Sequence, residues 1–331
     1  MIINCHCHIF DLECVPLEFR KRFVLNMKNP IHKFIHCLLK RFMPPESGPA
    51  QYLDFAEKSI LEIGQKLVQE MDEAGVEICT PLMMDMEYNP VFGSGLKDFQ
   101  EQMSETAEAV EAVNNQYGRS RMLPFIAADP RRPDIDVIVT DALGSGIFKG
   151  VKIYPVMGYD PGDKRLHGIY QYCVDNNHPV TTHCMNGGIP GFNEYYHMAD
   201  PDSWENVLKN FPGLSLNLAH NGLTGKSWQP KIERLIKTYD NVYTDISGNI
   251  EMWYMPRRYF KNVKRMLNTD KIKDRLLYGT DWYMGRYLWD ETSYLKWFRE
   301  YSRKIFWCGV KFTDEELKRL TEDNPKKFLG L

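Results

Sequence analysis

The sequence has no long apolar run; nothing in it approaches the roughly 18 residues needed to cross a bilayer. Neither charge is in excess. Forty-one Lys and Arg stand against 44 Asp and Glu, a formal net charge of −3, so no global attraction to nucleic acid or an anionic membrane surface is expected. Tightly spaced cysteines are missing as well. The eight present are scattered along the chain, which excludes a small disulfide scaffold and leads us to expect reduced thiols in a cytoplasmic protein. The opening Met-Ile-Ile-Asn-Cys-His lacks the basic end, apolar stretch and cleavage site of a secretory signal. No repeat, low-complexity tract or linker-like stretch announces a second domain. No Gly-rich phosphate loop follows the first β-like segment, which argues against a dinucleotide-binding fold.

What remains is a chain of 331 residues, 43% hydrophobic and 26% charged, with ample material for a large core. Apolar, β-branched segments recur at 2–8, 76–82, 122–127, 149–154, 179–184, 214–220, 242–247 and 275–281. Stretches with helical periodicity lie between them, for example 51–74, 97–118, 165–177 and 228–239. Ala74-Gly75 and Asn176-Asn177 read as helix stops. Eight strand-then-helix units predict the α/β class and a (β/α)8 TIM barrel spanning 1–331 as one domain.

The first connection, 9–75, is far longer than an ordinary βα loop and reads as a helical insertion. Residues 19–45 hold Arg20, Lys21, Arg22, Lys28, Lys33, Lys40 and Arg41 and no acid. Ile31, Phe34, Ile35, Leu38, Leu39 and Phe42 share one helical face. Three readings stand: a surface helix with solvated cations, a cap over the barrel mouth that draws in anionic substrates, or a local contact with membrane or nucleic acid.

Chemistry is expected at the carboxyl ends of the strands, which gather at one mouth of such a barrel. His6 and His8 sit two apart on strand one, so regular alternation points both inward, together with Asn4. The same alternation sends Cys5 and Cys7 to the opposite face as small buried hydrophobes. His183 ends strand five, His220 strand six and Asp281 strand eight. Imidazoles with one carboxylate suit Zn²⁺ or a neighbouring first-row ion.

His6-Cys7-His8, Thr182-His183, Leu218-Ala219-His220-Asn221-Gly222 and Tyr278-Gly279-Thr280-Asp281-Trp282, in this order, resemble the amidohydrolase superfamily. More narrowly, they resemble its amidohydrolase-2 branch, which includes aminocarboxymuconate-semialdehyde decarboxylase-like enzymes. The resemblance extends to Gly150-Val151-Lys152-Ile153-Tyr154-Pro155 and Glu322-Asp323-Asn324-Pro325. It implies one divalent metal ion, most simply Zn²⁺, held by His6, His8, His183 and Asp281, with His220 catalytic but not ligating. Asp281 would double as the proton acceptor for an activated water. Many relatives carry an acid where this chain has Asn4.

Lys152 and Tyr154 are expected to face inward beside the site. Lys152 is read as binding a substrate carboxylate, pairing with a buried acid, supporting the interior, or being carboxylated to bridge two metals. Arg286 is a further candidate for substrate binding. Asp245, ending strand seven, is read either as a hydrogen-bond partner of a ligand histidine or as a local cap. The expected activity is metal-dependent hydrolysis of a C–N or C–O bond, as in an amide or lactone, in a small substrate, with or without a carboxylate. Non-oxidative decarboxylation is the alternative, and a metal-binding protein without turnover the third. The expected partner is the small-molecule substrate, without nucleic acid or membrane. A homodimer is compatible with the sequence, but no hydrophobic stripe announces one.

Overall fold

Eight short parallel strands follow one another in chain order: β1 Ile3–Cys7, β2 Ile78–Pro81, β3 Phe125–Ala128, β4 Gly150–Ile153, β5 Val180–Thr182, β6 Leu216–Leu218, β7 Val242–Asp245 and β8 Leu276–Leu277. Seven fall inside their apolar segments, and β3 runs one residue past the end of 122–127. The computed structural model describes residues 1–19, 58–185, 194–222, 228–249, 251–304 and 308–331. The basic helix and its cap reading therefore fall, apart from Phe19, outside the described residues.

β1 pairs with β2, and β3 to β8 form one sheet in sequential order. Both seams between these pieces are stitched. At the first, Cys79 N donates to Arg121 O at 2.9 Å and Met83 N to Phe125 O at 3.0 Å. At the second, Cys5 N donates to Tyr278 O and Asp281 N to His6 O, each at 2.8 Å. The ring is closed as a (β/α)8 barrel, and among the described residues no strand edge is left open.

The helices form where the periodicity places them, including Ile60–Ala74, Phe99–Tyr117, His167–Asn176 and Trp228–Thr238. Ile60–Ala74 opens with a reciprocal Ser59–Glu62 capping box and closes on Gly75 at φ 75°. Asn177, at φ 57°, ends His167–Asn176 in the same left-handed way. Among the described residues, no helix is long and apolar enough to cross a membrane.

Outward strand residues such as Val151, Ile153, Val180, Leu216 and Leu218 pack under the helices. A smaller cluster fills the barrel below the mouth: Ile3, Cys5, Leu82, Phe125, Tyr243 and Leu277, with Phe328 and Leu329 from the C-terminal helix. The seven cysteines among the described residues are free and buried. Burial pushes the Cys5 and Cys7 thiols well up, so they behave as small hydrophobes.

Candidate metal centre

The local geometry of β1 decides which side chains reach the mouth. Its register with β2 shifts between Asn4 and Cys7, and such a bulge resets the alternation of faces. Cys5 and His6 both turn inward: Cys5 joins the interior cluster, and His6 Nδ1 lies 3.0 Å from Asp245 Oδ2 on β7. Cys7 returns to the outer layer. Asn4 is left outside, where its amide donates to Glu291 Oε1 at 2.7 Å and Thr280 Oγ1 at 2.8 Å. Regular alternation would put Asn4 with the histidines and Cys5 opposite them; the bulge reverses both assignments.

From outside, Asn4 braces the centre. Its Oδ1 accepts from His6 N at 3.0 Å and Thr280 N at 3.2 Å, tying β1 to the segment that carries Asp281.

Inside, Asp281 Oδ1 lies 3.2 Å from His8 Nε2 and 3.5 Å from His6 Nε2. One donor atom from each of His6, His8 and Asp281 lies within 4.8 Å of the others. The second nitrogens of both rings are engaged, His6 Nδ1 by Asp245 and His8 Nδ1 by the Leu82 carbonyl at 2.7 Å. Burial lowers the His6 pKa to about 3, against the pull of Asp245. The ring is therefore neutral, with its proton on the Nδ1 side and the Nε2 lone pair toward Asp281. His6 Nε2 is buried and has no hydrogen-bond partner. An orphaned buried acceptor facing a carboxylate oxygen and a second Nε2 fits a divalent ion held by N and O donors.

Asp245 organises the surroundings. Oδ2 accepts from Asn217 Nδ2 at 2.7 Å as well as from His6; Oδ1 accepts from His220 N and Ser247 N, both at 3.0 Å, and from the Ser247 hydroxyl. Burial would raise its pKa, but the adjacent His6 and these donors hold the carboxyl well below the usual range. Burial opposes ionisation of Asp281 too, and the adjacent His8 with the nearby imidazoles outweighs it.

His220 Nδ1 lies 3.2 Å from Ser247 O, and its Nε2 is 3.2 Å from His183 Nδ1. A consistent proton assignment runs from His220 Nδ1–H to Ser247 O and from His183 Nδ1–H to His220 Nε2, leaving His183 Nε2 as an acceptor. His183 reaches the cluster through His220 and is not in the tight donor set. Left-handed backbone at His220 (φ 68°), Asn221 (φ 50°), Asp281 (φ 57°) and Tyr283 (φ 70°) concentrates strain here. Such strain costs of order 1–3 kcal/mol per residue and marks sites held for function. Glycine allows the close packing: a Cβ on Gly248 (φ 63°) would stand 2.6 Å from Asp281 Oδ2, and one on Gly279 would stand 2.8 Å from His6 Cβ.

The family model described as Amidohydrolase matches residues 3–331. The chain belongs to the amidohydrolase family.

This amidohydrolase superposes on an uncharacterized TIM-barrel protein from Bordetella bronchiseptica with a TM-score of 0.63 at 16% identity, covering 99% of this chain and 98% of that one. A probable 2-pyrone-4,6-dicarboxylic acid hydrolase from Acinetobacter baumannii, with citric acid bound, gives 0.57 at 12% identity, with coverage of 100% and 99%. An amidohydrolase from Burkholderia multivorans with bound zinc gives 0.53 at 11% identity, with coverage of 81% and 88%. At these identities the likeness is one of fold. No curated protein matches the sequence.

The remaining candidates of this amidohydrolase divide. Lys152 and Tyr154 point inward from β4 and its end, and the Tyr154 ring stands edge-on to His183 at 5.0 Å. Arg286 is buried and bonds Glu70 Oε1 at 3.1 Å, whose other oxygen accepts from Trp282 Nε1 at 2.7 Å. That pairing gives Arg286 a structural partner in place of a free head for substrate. Sequence reasoning missed Asn217, Ser247 and Glu291. Ser247 follows Asp245 by two residues, so strand parity could have found it. Glu291 carries no such signal, because its partners lie 11 and 287 positions away.

Proposed function

We propose that this amidohydrolase is a metal-dependent hydrolase that cleaves a C–N or C–O bond, an amide or a lactone, in a small molecule. The observation that carries the reading is the convergence of His6 Nε2, His8 Nε2 and Asp281 Oδ1 within 4.8 Å, with the first of these buried and unbonded. His6, His8 and Asp281 would hold one divalent ion, with His183 Nε2 as the fourth donor. When bound, the ion supplies Lewis-acid activation of water near neutral pH.

The chain's own groups do the rest. Asp281 Oδ1 faces the histidines, while Oδ2 lies on the Gly248 side and is the atom to accept a proton from the attacking water. His220, held by the Ser247 carbonyl and by Asp245 through its backbone N–H, is the group to polarise a substrate carbonyl once its Nε2 has left His183 Nδ1 and taken up a proton. Asp245 fixes the tautomer of His6, and Leu82 O that of His8. The zinc of the Burkholderia multivorans protein and the hydrolase description of the Acinetobacter baumannii protein support this reading.

Elemental analysis of purified protein, together with turnover of a panel of small lactones and amides in heavy-oxygen water, tests it. We expect close to one divalent metal per chain, its loss in His183→Ala, and one labelled oxygen in the product. His220→Asn should keep the metal and lose most turnover. Release of CO₂ without label would assign the same centre to decarboxylation, and a wild type without metal at neutral pH overturns the reading.

A further inference from the structure

We propose that Lys152 and Tyr154 form an anion subsite beside the metal centre, one that takes a carboxylate group of the substrate. This deepens the hydrolase reading by naming its substrate class: a lactone or amide that carries a free carboxylate.

Three cationic side chains are buried among the described residues: Arg121, Lys152 and Arg286. Arg121 meets Asp72 at 2.7 Å and Arg286 meets Glu70 at 3.1 Å. Lys152, 1% exposed, has neither an ion pair nor a hydrogen bond among the described residues. A buried ammonium without a partner is costly, and a barrel layer built for stability alone is filled by branched aliphatic side chains. Lys152 is therefore retained at a cost to the fold.

The two inward acids do not discharge it. Asp245 is saturated by five donors, and Asp281 faces His8 and His6. Both act on Lys152 only at a distance: burial lowers its pKa to about 8, with Asp245 and Asp281 pulling the other way. The third acid after the strands, Asp129, is neutralised by two-point contact with Arg131 at 2.9 and 2.6 Å.

The strand neighbours of Lys152 offer it no acid. Its in-register neighbours are the small Ala127 on β3 and Thr181 on β5. Tyr154 stands on the same face, its ring centroid 5.9 Å from Lys152 Nζ. The Tyr154 hydroxyl makes no hydrogen bond among the described residues, and burial keeps it protonated, a donor in need of an acceptor.

Charge selects the ligand. The unpaired ammonium calls for an anion, and the two oxygens of one carboxylate match one ammonium and one phenol. A phosphate calls for more donors than these two supply.

Isothermal titration with isophthalate, its neutral diamide isophthalamide and inorganic phosphate tests the proposal, on metal-loaded and on chelator-treated protein. We expect isophthalate to bind at least tenfold more tightly than the diamide in both forms, and more tightly than phosphate. Lys152→Met should erase that preference, keep its metal and melt no lower than wild type, since an unpaired buried charge has been removed. In wild type, isophthalate should raise Tm and the diamide should not.

Unchanged preference in Lys152→Met, a stronger Lys152-dependent response to phosphate, or two metals per chain with a carboxylated Lys152 each overturn the subsite. A metal-free wild type that still shows a Lys152-dependent carboxylate preference keeps the subsite and removes the hydrolase reading, so the two fail separately.

Discussion

Two carboxyls, Asp245 inside the barrel and Glu291 behind it, are both fully buried, yet they carry opposite charge states. Asp245 accepts from five donors, one of them the imidazole of His6, and is held ionised. Glu291 accepts on Oε1 from Asn4 Nδ2 at 2.7 Å and Thr280 Oγ1 at 2.6 Å, while Oε2 is left without a partner. Burial, with Glu70 and Asp290 nearby, raises its pKa to about 8 against the pull of those two bonds. Depth does not set the charge of a buried acid; the number and sign of the groups aimed at it do. Both acids reach the same pair of strands. Asp245 holds the His6 ring directly, and Glu291 holds the His6 and Thr280 backbones through Asn4.

Removing the inner acid should have the larger effect. Asp245→Ala strands five donors and frees the His6 tautomer, so metal affinity is expected to fall about 10- to 100-fold. Competition with a chromophoric chelator measures this, and scanning calorimetry should show a fall in Tm from the broken network. If Asp245→Ala binds metal as tightly as wild type, Asp245 does not orient the ligand and the contrast with Glu291 disappears.

Next in size is the pH response of the outer acid. A carboxyl with an ordinary pKa near 4.5 when unfolded and about 8 when folded holds its proton longer in the native state. Native stability therefore drops as pH rises from about 4.5 to 8 and levels off beyond. Glu291→Gln keeps an acceptor for Asn4 and Thr280 and removes this titration. Wild type and variant should have similar Tm near pH 4.5 and separate above it, the variant being more stable by on the order of a few kcal/mol at pH 9. Parallel curves across that range would show Glu291 to be ionised like Asp245.

The smallest change expected is at the link between the two. Asn4→Ala leaves the His6 and Thr280 backbone N–H groups without this acceptor and Glu291 with one donor fewer, costing about 1–3 kcal/mol. Denaturant unfolding should register that loss, and metal affinity should weaken less than in Asp245→Ala. A larger loss of metal in Asn4→Ala would make the outer brace, not Asp245, the chief support of the centre.

Much of the molecule was legible in the chain. The eight apolar segments and the stops at Gly75 and Asn177 carry local signals, a change of period and residues tolerant of left-handed backbone, and each became the element expected. His6, His8 and Asp281 were legible as a set because barrel strands end at one mouth whatever the loops between them do. Lys152 was legible because β4 pairs in unbroken register with β3 and β5, so simple alternation holds there.

Alternation failed on β1. A five-residue strand that must match β2 on one side and β8 on the other carries its bulge in the pairing, not in any residue of its own. That shift turned Asn4 outward and Cys5 inward. Arg286 and Glu291 were beyond reach for a related reason. Their partners, Glu70 and Asn4, lie 216 and 287 positions away, and nothing local encodes which distant acid or amide a buried side chain will meet. The sequence by itself determined the strand–helix alternation and the residue types delivered to the barrel mouth, because period and strand ends are local properties. Tertiary structure alone decided which face each β1 side chain occupies and which buried acid is charged. Register and burial are properties of contacts between strands, and they exist only once the ring has closed.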